Sequence, residues 1–214
     1  MCPFYWAVSD NAQCFKVITL RAGEKAEANA LARLILSSAP VLLSYLFSGP
    51  ENAVRYMSLA GGQVDGQYSA ARHQVAVDGT QVVACITLWD NQLPVSFHSF
   101  TVQSLSRFLT PEQITHIVYA NDIITHVFQA PLNHQLCIGH LAVLNKQKGR
   151  GIGKKLVAYA MLQAKSQHKS QLVLDVESTN DEAVSFYTGL GFILMQSNYL
   201  NLTKQTFYRM QFTL

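Results

Sequence analysis

The segment NKQKGRGIGKKL at residues 145–156 places five cations and three glycines within twelve residues of a chain that is only 14% charged. It follows the apolar run LCIGHLAVL at 136–144, which is typical of a central strand buried on both faces. Helical spacing of apolar residues begins at Ile152. A turn from a strand into a helix presents unpaired backbone N–H groups and the positive end of the helix dipole, and glycines let a ligand approach. The segment therefore predicts a site for a phosphate-bearing compound.

The distribution of charge indicates what kind of phosphate-bearing ligand the segment at 145–156 would bind. The chain has 16 Lys and Arg residues against 13 Asp and Glu residues, and without the five cations of 145–156 the remaining 11 cations leave a balance of −2. Proteins that bind nucleic acid usually spread positive charge over a face with interleaved aromatic side chains. Charge focused on one loop favours a single small polyanion, and we predict no nucleic-acid partner.

Two familiar phosphate-binding loops do not fit the spacing. A P-loop needs GxxxxGK[ST], but Lys148 stands five residues before Gly153, and Lys155 occupies the Ser/Thr position. A dinucleotide fingerprint needs GxGxxG, and after Gly149 and Gly151 the third glycine would be at position 154, which is lysine. Magnesium-nucleotide and dinucleotide binding are therefore disfavoured.

A second motif lies downstream, and together the two resemble one family. LAVLNKQKGRGIGKKL is similar to the Q/RxxGxG/A motif of the GNAT superfamily of acetyl-CoA-dependent N-acetyltransferases, with Lys148 in the Q/R position, Gly151 and Gly153 as the small residues, and Asn145 where proline is common. NDEAVSFYTGLGF at 180–192 resembles the family's NxxAxxxYxxxGF. Its matching positions are Asn180, Ala183, Tyr187, Gly191 and Phe192. Two motifs at compatible separation are more specific than either one.

The resemblance implies acetyl-CoA as cofactor and assigns residues to it. The strand before the loop would diverge from its neighbour, so that backbone groups at Leu141, Ala142 and Val143 pair with pantetheine. The residues whose amides would hold the pyrophosphate are Lys148, Gly149, Arg150, Gly151, Ile152, Gly153 and Lys154. Asn180 would contact the cofactor or a bound water, although an asparagine before a helix is also a common N-cap.

Tyr187 is the predicted catalytic residue, and it too is implied by the resemblance. It would lie near the sulfur and assist departure of the thiolate. A tyrosine on the buried face of a helix is otherwise an ordinary core residue. Proton transfer from a phenol with a pKa near 10 to a thiolate with a pKa near 8.5 is uphill by about 2 kcal/mol, so a hydrogen bond to the sulfur would be the larger part of its role.

The general base is left open by the sequence. A lysine-like amine with a pKa of about 10.4 needs proton removal near pH 7, whereas an α-amine near ~8 needs little help. The alternatives are His134, Cys137, His140, Glu177 or water. The seven histidines show no metal-ligand spacing, so no metal site is predicted.

The predicted fold class is mixed α/β, in one N-acetyltransferase domain over 1–214. Apolar patterning predicts a strand at 16–21, a helix ending near Pro40, a hairpin around Asp78-Gly79 and a final strand at 207–214. The resemblance implies the GNAT fold: a twisted, mostly antiparallel sheet with a diverging strand pair and flanking helices. Outside the recognisable motifs lie an N-terminal extension at 1–14 and a helical segment at 90–133, in which Thr110, Pro111 and Gln113 predict a capped helix start. The helix over 181–190 is predicted to begin with a capping box of Thr179 and Glu182.

The predicted function is acetyl transfer from acetyl-CoA to a primary amine of a small-molecule or peptide acceptor. The alternative is a non-catalytic acyl-CoA-binding regulatory module of the same fold. The most apolar run, 34–47, is interrupted by serines and Pro40, and the first residues lack a basic segment followed by an apolar one. The four cysteines form no pair motif and are interpreted as reduced thiols. We therefore expect a cytoplasmic protein with no membrane partner. A homodimer is compatible with the same sequence.

Overall fold

A single eight-stranded sheet organises the computed structural model, which describes residues 4–8 and 16–214. The strands are β1 (Phe4–Val8), β2 (Lys16–Ala22), β3 (His73–Asp78), β4 (Gln81–Trp89), β5 (Gln135–Val143), β6 (Gln171–Glu177), β7 (Ile193–Leu200) and β8 (Gln205–Thr213). Their order is β1-β2-β3-β4-β5-β6-β8-β7, and β5 with β6 is the one parallel pair among the described strands. The predicted mixed fold with a mostly antiparallel sheet is confirmed. Of the predicted extension at 1–14, residues 1–3 and 9–14 lie outside the described residues.

Seven α-helices flank the described sheet. They are α1 (Ala28–Ser38), α2 (Pro40–Leu46), α3 (Pro50–Gly61), α4 (Val95–Phe108), α5 (Pro111–Val127), α6 (Ile152–Ser166) and α7 (Asp181–Gly189). The stripe that predicts α1 is buried at Ala28, Leu31, Ala32 and Ile35. No single described helix has the length and hydropathy to span a membrane, and one pair bent by 113°, Lys25–Ser38 with Pro40–Leu46, meets those criteria only when the two are combined.

The helical segment predicted at 90–133 forms two helices, α4 and α5, inserted between β4 and β5. As predicted, Thr110 begins α5 with a capping box: its hydroxyl accepts the Gln113 N–H at 3.3 Å, and the Gln113 side chain accepts the Thr110 N–H at 3.0 Å. The Tyr56 and Ser104 hydroxyls are 2.7 Å apart, and His116 Nε2 lies 2.9 Å from the Tyr45 carbonyl oxygen. These contacts hold the helical hairpin against α2 and α3.

The parallel pair β5 and β6 diverges along its length, as the resemblance implies. Their pairing runs from Gln135 opposite Gln171 to Ile138 opposite Leu174 and then ends, although both strands continue. A bulge at Gly139 shifts the register of β5 against β4 at the same point. The sheet therefore opens between the second half of β5 and the end of β6.

The two faces of the sheet carry different helices. On one face, Ile138, Leu174 and Met210 pack in a core with α6 and α7. On the other face, Val75 and Cys85 pack with α1 and α3. Because side chains alternate along a strand, each functional side chain of β5 and β6 belongs to one of these faces.

One local prediction is wrong, and two elements were not predicted. The capping box of Thr179 and Glu182 is wrong: Asn180 is the N-cap of α7, and the Thr179 hydroxyl instead donates to Glu177. Helix α3 was not predicted, because three of its five buried residues, Ala53, Tyr56, Met57, Ala60 and Gly61, are small and give the buried stripe a weak apolar pattern. Strand β7 was not predicted because Ile193, Leu194 and Met195 are consecutive exposed residues on an edge strand, without the alternation that identifies a strand.

Candidate functional site

A cleft of about 1020 Å³ lies where β5 and β6 diverge. It brings together nearly all of the predicted site residues, although they come from one strand, one loop and two helices. The members that line it are Leu141, Ala142, Val143, Lys148, Gly149, Gly151, Ile152, Gly153, Lys154, Asn180 and Tyr187. Arg150 is the one predicted cofactor residue that is not part of its lining.

The edge of β5 that faces the opening carries free backbone groups. The Leu144 N–H donates to the Val83 carbonyl at 2.8 Å, so the backbone of Leu144 and, by alternation, of Ala142 points toward β4. Leu141 and Val143 therefore direct their N–H and C=O groups to the other edge, where β6 has separated. This geometry fits the pantetheine-binding role that the resemblance implies for Leu141 and Val143. The backbone of Ala142 instead points toward β4, within the sheet.

The glycine loop forms an anion cradle at the start of α6. Gly149 and Gly151 have φ of +79° and +77°, a left-handed conformation that favours glycine. The first helical hydrogen bond runs from the Lys155 N–H to the Gly151 carbonyl at 3.1 Å, so the three preceding N–H groups have no partner within the helix. A Cβ built on Gly149 or Gly151 meets no atom within 4 Å. The open space and aligned N–H groups fit a pyrophosphate.

Two loop cations are held by carboxylates. Lys148 Nζ lies 2.7 Å from Glu182 Oε2, and both side chains are exposed enough for solvent and ligand to reach them. The Arg150 guanidinium pairs with Asp78 at 3.5 Å and also contacts Gln147. The Arg150 side chain therefore joins the loop to the β3–β4 hairpin, while Lys148 stays at the cleft.

Asn180 is the N-cap of α7 and also lines the cleft. Its side-chain oxygen accepts the Ala183 N–H at 3.1 Å and caps α7. The same residue lines the cleft. The cap is observed, and the contact with a cofactor stays a prediction.

Tyr187 presents a protonated phenol to the cleft from α7. Its side chain is 7% exposed and packs edge-on against Phe186 and Phe192, with ring centroids 5.1 and 5.5 Å away. Burial raises the pKa of Tyr187, and the nearby Cys137 raises it further. Tyr187 is therefore a hydrogen-bond donor at neutral pH, which is the form its predicted role requires.

Three of the predicted base candidates are poorly suited to accept a proton. His134 is exposed and does not line the cleft. Burial, with a further contribution from Asp175, raises the pKa of the Cys137 thiol to about 12, so Cys137 stays protonated. Burial, with a further contribution from His73, lowers the pKa of His140 to about 3, so His140 is neutral but a very weak base. Glu177 lines the cleft with its carboxylate accepting the Thr179 hydroxyl at 3.0 Å, and it stays a candidate.

His140 is held on the cleft wall by a neighbour on α1. The Ser38 hydroxyl lies 2.7 Å from the Ile35 carbonyl oxygen and 2.9 Å from His140 Nδ1. This contact fixes the position of the His140 ring beside the cleft.

Asp175 on β6 is a base candidate that the sequence did not reveal. One carboxylate oxygen, Oδ2, pairs with Arg209 at 2.8 Å, and the other, Oδ1, is buried with no hydrogen-bond partner among the described residues. Burial outweighs the attraction of Arg209 and raises the pKa of Asp175 to about 6. The side chain lines the cleft beside Cys137. A largely ionised carboxylate with an oxygen that has no hydrogen-bond partner is suited to accept a proton near neutral pH.

Separated parallel strands with an anion cradle between them define a class of α/β proteins that hold a phosphate-bearing ligand in the gap. A model of the Acetyltransferase (GNAT) domain family matches residues 73–214, more than half of the chain. The chain therefore belongs to the GNAT acetyltransferase family. The predicted family is confirmed, and membership supports acetyl-CoA as the cofactor.

One curated relative and several solved structures resemble the chain. N-alpha-acetyltransferase 30 of Saccharomyces cerevisiae is 41% identical over 59 residues, which are 28% of this chain and 34% of that protein. The match thus spans about a third of that relative's length.

The solved structures agree with the fold over almost the whole chain. An N-acetyltransferase from Staphylococcus aureus Mu50 has a TM-score of 0.68 at 16% identity and covers 90% of this chain and 99% of its own. The NatC complex bound to Gag peptide and CoA has a TM-score of 0.52 at 18% identity, and the match covers 92% of this chain and 98% of that chain. The yncA protein of Salmonella typhimurium, solved with acetyl-CoA, has a TM-score of 0.50 at 15% identity, and the match covers 92% of this chain and 94% of that chain. At these identities the likeness shows the fold.

Proposed function

We propose that the protein transfers an acetyl group from acetyl-CoA to a primary amine. The observation that carries this proposal is the cleft itself, in which an anion cradle, a free strand edge, a protonated phenol and an ionised carboxylate line one opening. When bound, acetyl-CoA supplies an acetyl group activated as a thioester. The N–H groups that begin α6 would hold its pyrophosphate, and the backbone of Leu141 and Val143 would hold its pantetheine.

Asp175 acts as the base in this proposal. Its side chain lies on the face of the sheet opposite the α6–α7 core, because Leu174 and Val176 on either side of it belong to that core. The amine would therefore enter from the side of α1, α2 and the helical hairpin. Asp175 Oδ1 accepts the proton that converts an ammonium into a nucleophilic amine.

Tyr187 acts on the departing sulfur. It comes from α7, on the other face of the sheet, so the acid and the base approach the gap from opposite sides. The amine nitrogen bonds to the thioester carbonyl carbon, and the Tyr187 hydroxyl donates a hydrogen bond to the thiolate as the carbon–sulfur bond breaks. The second proton that the nitrogen loses ends on the sulfur as the thiol, and the first, held by Asp175, is released to solvent.

The base strength of Asp175 favours an α-amino group as acceptor. Transfer of a proton to a carboxylate with a pKa of about 6 costs about 2.5 kcal/mol from an α-ammonium but about 6 kcal/mol from a lysine-like ammonium. The similarity to an N-alpha-acetyltransferase supports the same acceptor. We therefore place α-amines ahead of side-chain amines.

Acetyl-CoA is expected to stabilise the protein through the glycine loop. At a concentration of 100 times Kd the free energy of unfolding should rise by about 2.7 kcal/mol, measured as a higher melting temperature. Replacement of Gly151 with valine should abolish this rise, because the added side chain fills the cradle. Gly79→Val is the matched control: Gly79 also has a positive φ of +62° and open space around it, but it lies in the β3–β4 turn. An equal rise in both variants would contradict the assignment of the cradle.

Salt, but not magnesium, is expected to control cofactor affinity. Lys148 and Lys154 line the cleft at the cradle, so raising the ionic strength from about 0.05 M to about 0.5 M should weaken CoA binding by screening. Calorimetric titration of CoA with EDTA present should give the same Kd as titration with Mg²⁺. A strict requirement for magnesium would contradict this prediction and favour a magnesium-nucleotide as the ligand of the loop.

The alternative function is a non-catalytic acyl-CoA-binding regulatory module. Such a module needs the cradle and the β5 edge but neither a phenol nor a carboxylate in the gap. Tyr187 and Asp175 therefore favour the enzyme. A homodimer and a cytoplasmic location stay predictions, and sedimentation velocity of the purified protein would test the first.

A further inference from the structure

One buried amide on the acceptor side of the cleft has an unused oxygen. Gln205, at the start of β8, is 8% exposed and lines the cleft. Its Oε1 is buried and has no hydrogen-bond partner among the described residues. Leaving a buried carbonyl oxygen without a donor is costly, so such an atom indicates a ligand N–H or O–H.

The register of the sheet places Gln205 on the same face as the proposed base. Asp175 lies directly opposite Arg209, and Glu177 lies opposite Phe207. Side chains alternate along β8, so Gln205, Phe207 and Arg209 all point to the face of Asp175. Gln205 is four residues from Arg209, which is about 13 Å along the strand.

That separation distinguishes short acceptors from extended ones. An extended peptide advances about 3.3–3.6 Å per residue, so about three to four residues reach from an amine at Asp175 to Gln205. A single amino acid or a compact amine does not span it. Between the two ends lies an apolar surface of Leu42, Phe128 and Phe207, in which the two aromatic rings pack edge-on with centroids 4.8 Å apart.

The charges of the cleft do not suit a polyamine. Three carboxylates line it: Asp175 and Glu182 are paired with the cations Arg209 and Lys148, whereas Glu177 accepts only the neutral Thr179 hydroxyl. Among the described lining residues, Glu177 is the one carboxylate without a paired cation, which is too little negative charge for the several ammonium groups of a polyamine. An acceptor with one charged amine and an uncharged body is therefore favoured.

We propose that the acceptor is the amino terminus of an extended peptide, and that Gln205 Oε1 accepts one of its backbone N–H groups. The α-amine lies at Asp175, the first side chains lie on Leu42, Phe128 and Phe207, and Gln205 determines the preference for length. This proposal rests on the proposed acetyl transfer and adds the acceptor class and a specificity-determining residue.

The test compares Phe-Ala-Ala-Ala-amide with phenylalaninamide, at saturating acetyl-CoA. The wild type should show a lower KM for the tetrapeptide. Gln205→Leu should raise that KM by about 3- to 10-fold, with kcat and the KM for phenylalaninamide unchanged, because one neutral hydrogen bond is lost. Thr206→Val is the matched control, since Thr206 is on the same strand but faces the other side of the sheet. Calorimetric titration of the tetrapeptide into the CoA-bound protein should show the same loss without turnover.

A second measurement needs no variant. Tetrapeptides methylated in turn at each backbone nitrogen should bind the wild type normally except at one position, which should lose affinity by a similar factor. An equal loss for the tetrapeptide and phenylalaninamide in Gln205→Leu, uniform binding of the methylated series, or preferred turnover of phenethylamine or spermidine would overturn the peptide acceptor while leaving acetyl transfer intact. Absence of transfer to every amine, with acetyl-CoA still bound, would overturn the proposed function itself.

Discussion

Asp175→Asn is expected to lower kcat by about 10²- to 10⁴-fold, the largest catalytic effect of any single substitution proposed for this protein. The amide has the shape of the carboxylate but cannot accept the proton of the ammonium. Binding of acetyl-CoA should be kept, because the cradle is formed by the loop after β5. The measurement is thiol release at saturating acetyl-CoA and amine.

The same assignment predicts a pH dependence for the wild type. Asp175 has a pKa of about 6, and only its ionised form can act as a base. Activity should therefore rise as the pH increases through about 6 and should be lost below it. In Asp175→Asn, the residual activity should lack this step. A wild-type profile that is flat between pH 5 and 7 would exclude Asp175 as the base and return Glu177 or water to that role.

Stability has to be separated from catalysis in this variant. Asparagine leaves the buried Arg209 without its anion, and breaking a buried pair from one side typically costs about 3–5 kcal/mol. The Arg209 guanidinium also donates to the Gln129 carbonyl at 2.9 Å, so some of its environment remains. The melting temperature and its rise with acetyl-CoA show whether the variant is folded. Asp122→Asn, at an exposed position on α5 outside the cleft, is the control for a lost carboxylate.

Local spacing was enough to predict residues of β5, the glycine loop and α7 that line one cleft, and their cofactor roles stay predictions. The positions of Gly151, Asn180 and Tyr187 in two motifs identified the family, and the residues lie around one cleft because strand, loop and helix are consecutive in the chain. The Asp78-Gly79 turn and the Thr110 capping box were predicted for the same reason. Each is a short-range pattern whose physical cause lies within a few residues.

The acceptor half depends on contacts between distant parts of the chain. Asp175 stands in an apolar strand and becomes a base candidate only because β5 separates there and Arg209 pairs with one of its oxygens. Gln205 is unremarkable in sequence, and its unused oxygen is visible only once the residue is buried. Sequence patterns report periodicity and local turns, but they do not report which polar atom a neighbouring element leaves without a partner.

Tyr187→Phe should lower kcat by as much as ~10²-fold with little change in the affinity for acetyl-CoA. Phenylalanine keeps the ring that packs against Phe186 and Phe192, and only the hydroxyl of this cleft-lining residue is removed. The physical reason is that burial raises the pKa of Tyr187, so it meets the departing sulfur as a donor. The measurement is again thiol release at saturating acetyl-CoA and amine.

The control for this substitution is Tyr208→Phe. Tyr208 packs against the same core cluster as Tyr187 but does not line the cleft, so loss of its hydroxyl tests stability alone. Tyr208→Phe should keep the wild-type kcat. If Tyr187→Phe also keeps it and only the melting temperature changes, Tyr187 is a core residue, and the departing thiolate is stabilised by other groups in the gap. If neither the wild type nor the variants release thiol with any amine while all of them bind acetyl-CoA, the chain is an acyl-CoA-binding module that has kept the cleft of the family without its chemistry.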